Sequence, residues 1–133
     1  MILVDANILM YAAGVEHLCK RPSVGLLASI AEGDTEAAID TEVLQEVLHR
    51  YRAIGRWSDG RRVYDAARRI FTVVLPITAE VTDRARLLLD RHAELSARDA
   101  LHAAVVQIRD LEAICSYDRD FDMISDIRRI EPA

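Results

Sequence analysis

The chain has 133 residues, 51% hydrophobic and 29% charged, a balance that suits one globular domain spanning residues 1–133 and excludes an intrinsically disordered chain. Seventeen basic residues stand against 22 acidic ones, a formal net charge of −5, which argues against a sequence-independent coat on nucleic acid. No apolar run approaches the ~20 residues of a membrane span, and Met1 to Asp5 lack a basic leader, so no membrane association and a cytoplasmic location are expected.

Short runs rich in Val and Ile alternate with longer helical patterns. Ile2-Leu3-Val4 reads as a first strand. The stretch from Ala6 to Arg21 receives no element. Pro22 opens and Gly33 closes a helix over Ser23 to Glu32. Ala37-Ala38-Ile39 is a second strand, and Asp40 after it suits an N-cap better than a ligand. The next helix runs from Thr41 to Ile54, with Val43, Leu44, Val47, Leu48 and Tyr51 on one stripe and Gly55 at its end. Another runs from Trp57 to about Phe71. Val73-Val74-Leu75 is a third strand. Thr78 caps a helix to about Ala93, and Ser96 caps one to about Asp110 with Leu101, Ala104, Val105 and Ile108 facing inward. Ala113-Ile114-Cys115 and Arg129-Ile130 complete about five strands. The alternation predicts an α/β fold, a three-layer sandwich whose mostly parallel sheet is flanked by helices, with its crevice at the carboxyl ends of the strands.

Two strands run into acids at that edge: the first into Asp5, the fourth through Ser116 and Tyr117 into Asp118. On the helix after strand two, Glu42 falls almost opposite the apolar stripe, whereas Glu46 lies about 60° beyond its edge, so Glu46 is the one placed to look into the crevice. Asp99 fits two roles, the third helical position of a capping box begun by Ser96 and a carboxylate facing the crevice. If Asp5, Glu46, Asp99 and Asp118 converge, they form a set of carboxylates without internal counter-charge, and a divalent cation is needed to hold them together. Hard oxygen donors favour Mg²⁺ or Mn²⁺ over zinc, and such a site suits phosphodiester hydrolysis. No GxSxG elbow, phosphate-binding GxxxxGK[ST] or HExxH competes with it. His17, His49, His92 and His102 are scattered and read as surface or core residues. Cys19 and Cys115 lack metal spacing and read as reduced thiols.

The motifs Val4-Asp5-Ala6-Asn7-Ile8-Leu9, Leu44-Gln45-Glu46-Val47-Leu48, Arg98-Asp99-Ala100-Leu101-His102 and Ser116-Tyr117-Asp118-Arg119-Asp120-Phe121 resemble, in order and separation, the successive motifs of PIN domains, in particular VapC toxins. The resemblance spans nearly the whole chain. It implies a Mg²⁺- or Mn²⁺-dependent endoribonuclease toxin and an antitoxin partner of the VapB type covering the active groove. By position it also implies that Asp5, Glu46, Asp99 and Asp118 are the acidic quartet, with Asn7 and Ser116 beside it and Asp122 as an additional acid. The family often has Thr and Asn where this chain has Ser116 and Tyr117; the hydroxyl is kept, but Tyr117 is a departure.

Between His49 and Arg69 lie Arg50, Arg52, Arg56, Arg61, Arg62, Arg68 and Arg69 against Asp59 and Asp65, a local charge of +5. This stretch is either a solvated face or an anion-facing one. With the resemblance, Arg50, Arg52 and Arg98 become candidate contacts to RNA or to the antitoxin, and a homodimer bringing two grooves together is expected. Three rivals are weaker. A phospho-acceptor receiver domain needs a late lysine, and the only lysine is Lys20. A haloacid-dehalogenase-like phosphatase needs a second acid where Asn7 stands. A PIN-like binding module without catalysis needs no intact quartet, yet all four acids are present.

Overall fold

The computed structural model describes residues 1–133. Five short strands, β1 (Ile2–Val4), β2 (Ala37–Asp40), β3 (Val74–Leu75), β4 (Ala113–Cys115) and β5 (Arg129–Ile130), form one sheet in the order β3-β2-β1-β4-β5. Every pairing is parallel, with Leu3 opposite Ala38 on one side and Ile114 on the other. The first half of the chain winds outward from β1 to β3, and the second half returns to place β4 on the other side of β1. The sheet therefore has its topological switch between β1 and β4, where a crevice opens at the strand ends.

The helices are α1 (Ala6–Ala13), α2 (Lys20–Ala31), α3 (Thr41–Ala53), α4 (Trp57–Ile70), α5 (Ala79–Arg91) and α6 (Ala97–Ile108), with a short 3₁₀ turn at Arg119–Met123. Strand side chains alternate between faces, and the two apolar cores follow that alternation. Ile2, Val4, Ile39 and Cys115 pack with α1 to α4; Leu3, Ala38 and Ile114 pack with α5 and α6. This is the expected three-layer arrangement.

Four details differ from what the sequence suggests. Helix α1 has no counterpart among the predicted elements; Asp5 caps it by accepting the Ala6 N–H at 2.7 Å, and Ile8 and Leu9 are buried. Helix α2 starts at Lys20, not after Pro22. Pro22 sits at the third helical position, where no intrahelical N–H bond is lost. Leu48, predicted on the apolar stripe of α3, is 39% exposed, in an open hollow it shares with Gln45, Arg52 and Trp57. Helix α6 is buried around most of its circumference, including Ala100, His102, Ala103 and Val106, since it lies between the sheet and α5.

Contact between α3 and α4 depends on one glycine. A Cβ at Gly60 would lie 2.4 Å from Tyr51 Cβ, whereas one at Gly25 in α2 would meet nothing within 4 Å. Gly60→Ala is expected to destabilise the protein by about 1–3 kcal/mol through overpacking, despite a gain of ~1 kcal/mol in helix propensity. Gly25→Ala, the control, should show only the gain. Urea denaturation measures both, and a stabilised Gly60→Ala would contradict the close approach.

Candidate active site

At the switch point a cavity of about 200 Å³ is lined by Asp5, Glu46, Asp99 and Asp118, with Asn7 and Met10 of α1 on one wall and Arg50 and Arg98 at the rim. Four elements supply the acids: the end of β1, the middle of α3, the first turn of α6 and the turn after β4. Glu46 is 7% exposed, whereas Glu42 lies half-buried outside the cavity lining, as the helix geometry required. A larger cavity of about 530 Å³ between α5, α6 and the Ile124–Asp126 turn holds a single acid, Asp126, and Gln107 occupies both of its oxygens.

Asp5 is the most constrained of the four. Its Oδ1 accepts from Ala6 N at 2.7 Å, and its Oδ2 accepts from Ser116 Oγ at 2.6 Å and Asn7 Nδ2 at 3.3 Å. Asn7 Nδ2 also donates to Ser116 Oγ at 3.1 Å. Burial pushes the Asp5 carboxyl above the ordinary range; the nearby His102 and the Ser116 hydroxyl pull in the opposite direction. Ser116 Oγ further accepts the Asp118 N–H at 3.0 Å, so one hydroxyl fixes both strand-end acids.

The two roles considered for Asp99 coexist. Its N–H donates to Ser96 Oγ at 3.1 Å, which caps the helix, but its side chain makes no return bond to Ser96. The carboxyl faces Asp118 instead, and Asp99, Asp118 and Asp120 each bring an oxygen within 4.8 Å of the others. Burial first, then the proximity of Asp118, push Asp99 up to about 7. Without a cation, Asp99 is therefore only partly ionised near neutral pH.

One expectation is corrected, at Asp122, and two are sharpened. His102 is a core residue, as one of its two expected placements had it, but not an isolated one. It is fully buried beneath the cavity, with Nδ1 2.7 Å from Asp40 Oδ2 and Nε2 3.4 Å from Glu46 Oε2 and 3.6 Å from Asp5 Oδ1. Burial opposes the charged ring, but the Asp40 carboxylate and the hydrogen bonds to Asp40 and Glu46 raise it well above its usual range. The acids thus have an internal counter-charge, and Asp40 both caps α3, accepting from Val43 N at 3.0 Å, and holds that cation. Asp122 is engaged by Arg129 at 3.0 Å and lies outside the cavity; the acid that joins Asp99 and Asp118 is Asp120. Arg52 stacks on Trp57 at 5.0 Å away from the acids, while Arg98 Nε stands 3.6 Å from Glu46. Within the basic stretch, Arg56 and Arg62 pair with Asp59.

The site fits a divalent cation. All four lining acids are hard oxygen donors gathered on one cavity, and Asn7 Oδ1 is buried with no hydrogen-bond partner. Elsewhere, both cysteines are free; burial drives the Cys115 thiol up to about 12, which makes it unreactive. No helix is long and apolar enough to cross a membrane.

A parallel α/β sheet whose switch point gathers acids from β1, α3, α6 and the turn after β4 defines a class of fold and site. The sequence signature described as "PIN domain" matches residues 2–127. Ribonuclease VapC13 of Mycobacterium tuberculosis is 43% identical over 130 residues, covering 98% of this chain and 99% of that protein. The chain belongs to the PIN-domain family and, within it, to the VapC group. The fold agrees: a crystal structure of M. tuberculosis VapC20, described as a sarcin-ricin loop cleaving toxin, superposes with a TM-score of 0.77 at 22% identity, covering 94% of this chain and 95% of that one. A toxin-antitoxin complex from Klebsiella pneumoniae gives 0.68 at 20% identity, covering 100% and 98%.

Proposed function

We propose that the protein is a single-domain, cytoplasmic endoribonuclease, active with Mg²⁺ or Mn²⁺, and the toxin of a VapBC-type pair. The observation that carries this reading is the convergence of Asp5, Glu46, Asp99 and Asp118 on one cavity at the sheet's switch point. The family supports the chemistry, and the Klebsiella complex supports an antitoxin partner; a homodimer bringing two grooves together is part of the proposal.

A bound divalent cation would supply charge neutralisation at the scissile phosphate and acidify an attacking water. The side chains set up the rest. Ser116, Asn7 and the Ala6 N–H fix the direction of Asp5 before substrate arrives. His102 balances part of the charge of Asp5 and Glu46 from below, so the acids stay together without closing the cavity. Arg50 and Arg98 stand at the rim, where a phosphate's outer oxygens are met by guanidinium groups. A cation held in the cavity would compete with the proton on Asp99.

The deciding experiment assays purified protein on RNA with Mg²⁺ or Mn²⁺, with EDTA, and without added metal. Cleavage is expected only with the cation, and a wild type that cuts no RNA under any condition would leave a PIN-like binding module as the reading. The same site makes stability depend on pH and metal. An acid whose folded pKa is raised stabilises the fold while it holds its proton, and that contribution is lost as pH rises towards about 7 for Asp99. Asp5 shifts in the same direction. Metal-free Tm is therefore expected to fall between pH 5 and 8, and the increment from millimolar Mn²⁺ to grow over that range, because cation and proton compete for one carboxylate. An Mn²⁺ increment that shrinks as pH rises would count against cation binding at Asp99.

A further inference from the structure

Three rings form a ladder beside the acidic cavity. Tyr117 lies between Ser116 and Asp118, but its side chain packs with the α1 to α4 core. Its ring meets Tyr11 edge-on at 5.3 Å, and its hydroxyl donates to Cys19 O at 3.4 Å. Tyr11 in turn stacks on His17, with centroids 4.8 Å apart and planes at 29°. Asn7 and Met10 line the cavity, and Tyr11, four residues after Asn7 in α1, lies about 40° around the helix from it and about 6 Å along the axis. The ladder thus begins within a nucleotide's reach of the acids.

His17 is exposed, yet its ring is held. Nδ1 accepts the Cys19 N–H at 3.0 Å and the backbone carbonyl accepts the Lys20 N–H at 3.0 Å, while the Lys20 ammonium donates to Gly14 O. A ring fixed before its ligand arrives loses little freedom on binding. Val15 and Leu18 in the same loop are 84% and 93% exposed, so the loop offers apolar surface as well as a ring.

We propose that Tyr117, Tyr11 and His17 form a stacking platform for an unpaired RNA base next to the scissile phosphate, and so help decide which phosphodiester reaches the acids. The proposal rests on the ribonuclease reading above. Bases splayed out of single strands stack on aromatic and imidazole rings, and the departure at Tyr117 ties this ladder to the backbone of the site itself. Purines, with the larger ring surface, should be favoured.

The test starts from cleavage sites mapped on a random-sequence single-stranded RNA pool with Mn²⁺. An oligomer of the favoured sequence is then made with an abasic residue at each nucleotide flanking the cut. For wild type, one of these should lower kcat/KM by roughly 5- to 150-fold, mainly through KM. For His17→Ala the intact oligomer should already show that loss, and the abasic residue should add less than about twofold. His17→Phe, which keeps the ring but not the bond to Cys19, should restore the penalty, and Tyr117→Asn should flatten the purine preference. If wild type and His17→Ala suffer equally from the abasic residue, the proposal is wrong while the ribonuclease reading stands. It is equally wrong if His17→Ala weakens only the binding of an antitoxin peptide. A wild type that cuts none of the pool overturns both readings.

Discussion

Asp5→Asn is expected to lower RNA cleavage by roughly 10²–10⁴-fold, the several kcal/mol that charge stabilisation by a cation contributes to a phosphoryl transition state. The fold should survive the change. Asn keeps the oxygen that accepts from Ala6 N, and the local cost is confined to the Ser116 and Asn7 side chains, which donate to Asp5 Oδ2 and must re-aim to accommodate the new amide. Because burial pushes the Asp5 carboxyl up, removing its charge should raise the metal-free Tm while reducing the increment from Mn²⁺. Those opposed effects distinguish a cation ligand from a structural aspartate, whose loss lowers both activity and stability. Asp122→Asn, at a side chain occupied by Arg129, is the control and should cleave at close to the wild-type rate. Equal cleavage by Asp5→Asn and wild type would remove Asp5 from the reaction.

Most of the fold is legible in the sequence because its signals are local. The three central strands are short apolar runs ending at a polar residue, Asp5, Asp40 or Ser116, and Thr78 and Ser96 announce their helices as caps that accept from Val81 N and Asp99 N. Helix α1 escapes because its cap, Asp5, reads first as a strand-end acid and the eight-residue helix is too short for a clear period. The choice of Glu46 over Glu42 is also local, a matter of angle around α3. Asp120 and His102 are illegible for a different reason. Asp120 joins the acids only because the chain tightens into a 3₁₀ turn after Asp118, whose carboxylate accepts the Asp120 N–H at 2.9 Å. His102 gains its charge from Asp40, 62 positions away in sequence. One clue exists: His102 stands three residues after Asp99, so a helix face turned to the site carries both.

That buried histidine carries the second large effect. His102→Leu is expected to cost about 3–5 kcal/mol, the range found when one partner of a buried ion pair is removed. Asp40 would be left fully buried with only its bond from Val43 N, and Asp5 and Glu46 would lose the cation lying within 3.6 Å of both. The Asp40→Asn change in the same background should recover much of the loss, since Asn still caps α3 and no unpaired carboxylate remains beneath the sheet edge. A double-mutant cycle in urea measures the coupling, expected to exceed about 2 kcal/mol for residues in direct contact. The pH dependence gives an independent reading. His102 holds its proton well above the usual histidine range, so its contribution is fully present below about pH 6.5 and lost only as pH rises through the higher folded value. His102→Leu should therefore lose most stability relative to wild type at pH 5–6 and progressively less in alkaline solution. A penalty that instead grows with pH would mean that the ring is neutral in the fold, and that the acids above it are held apart by something other than its charge.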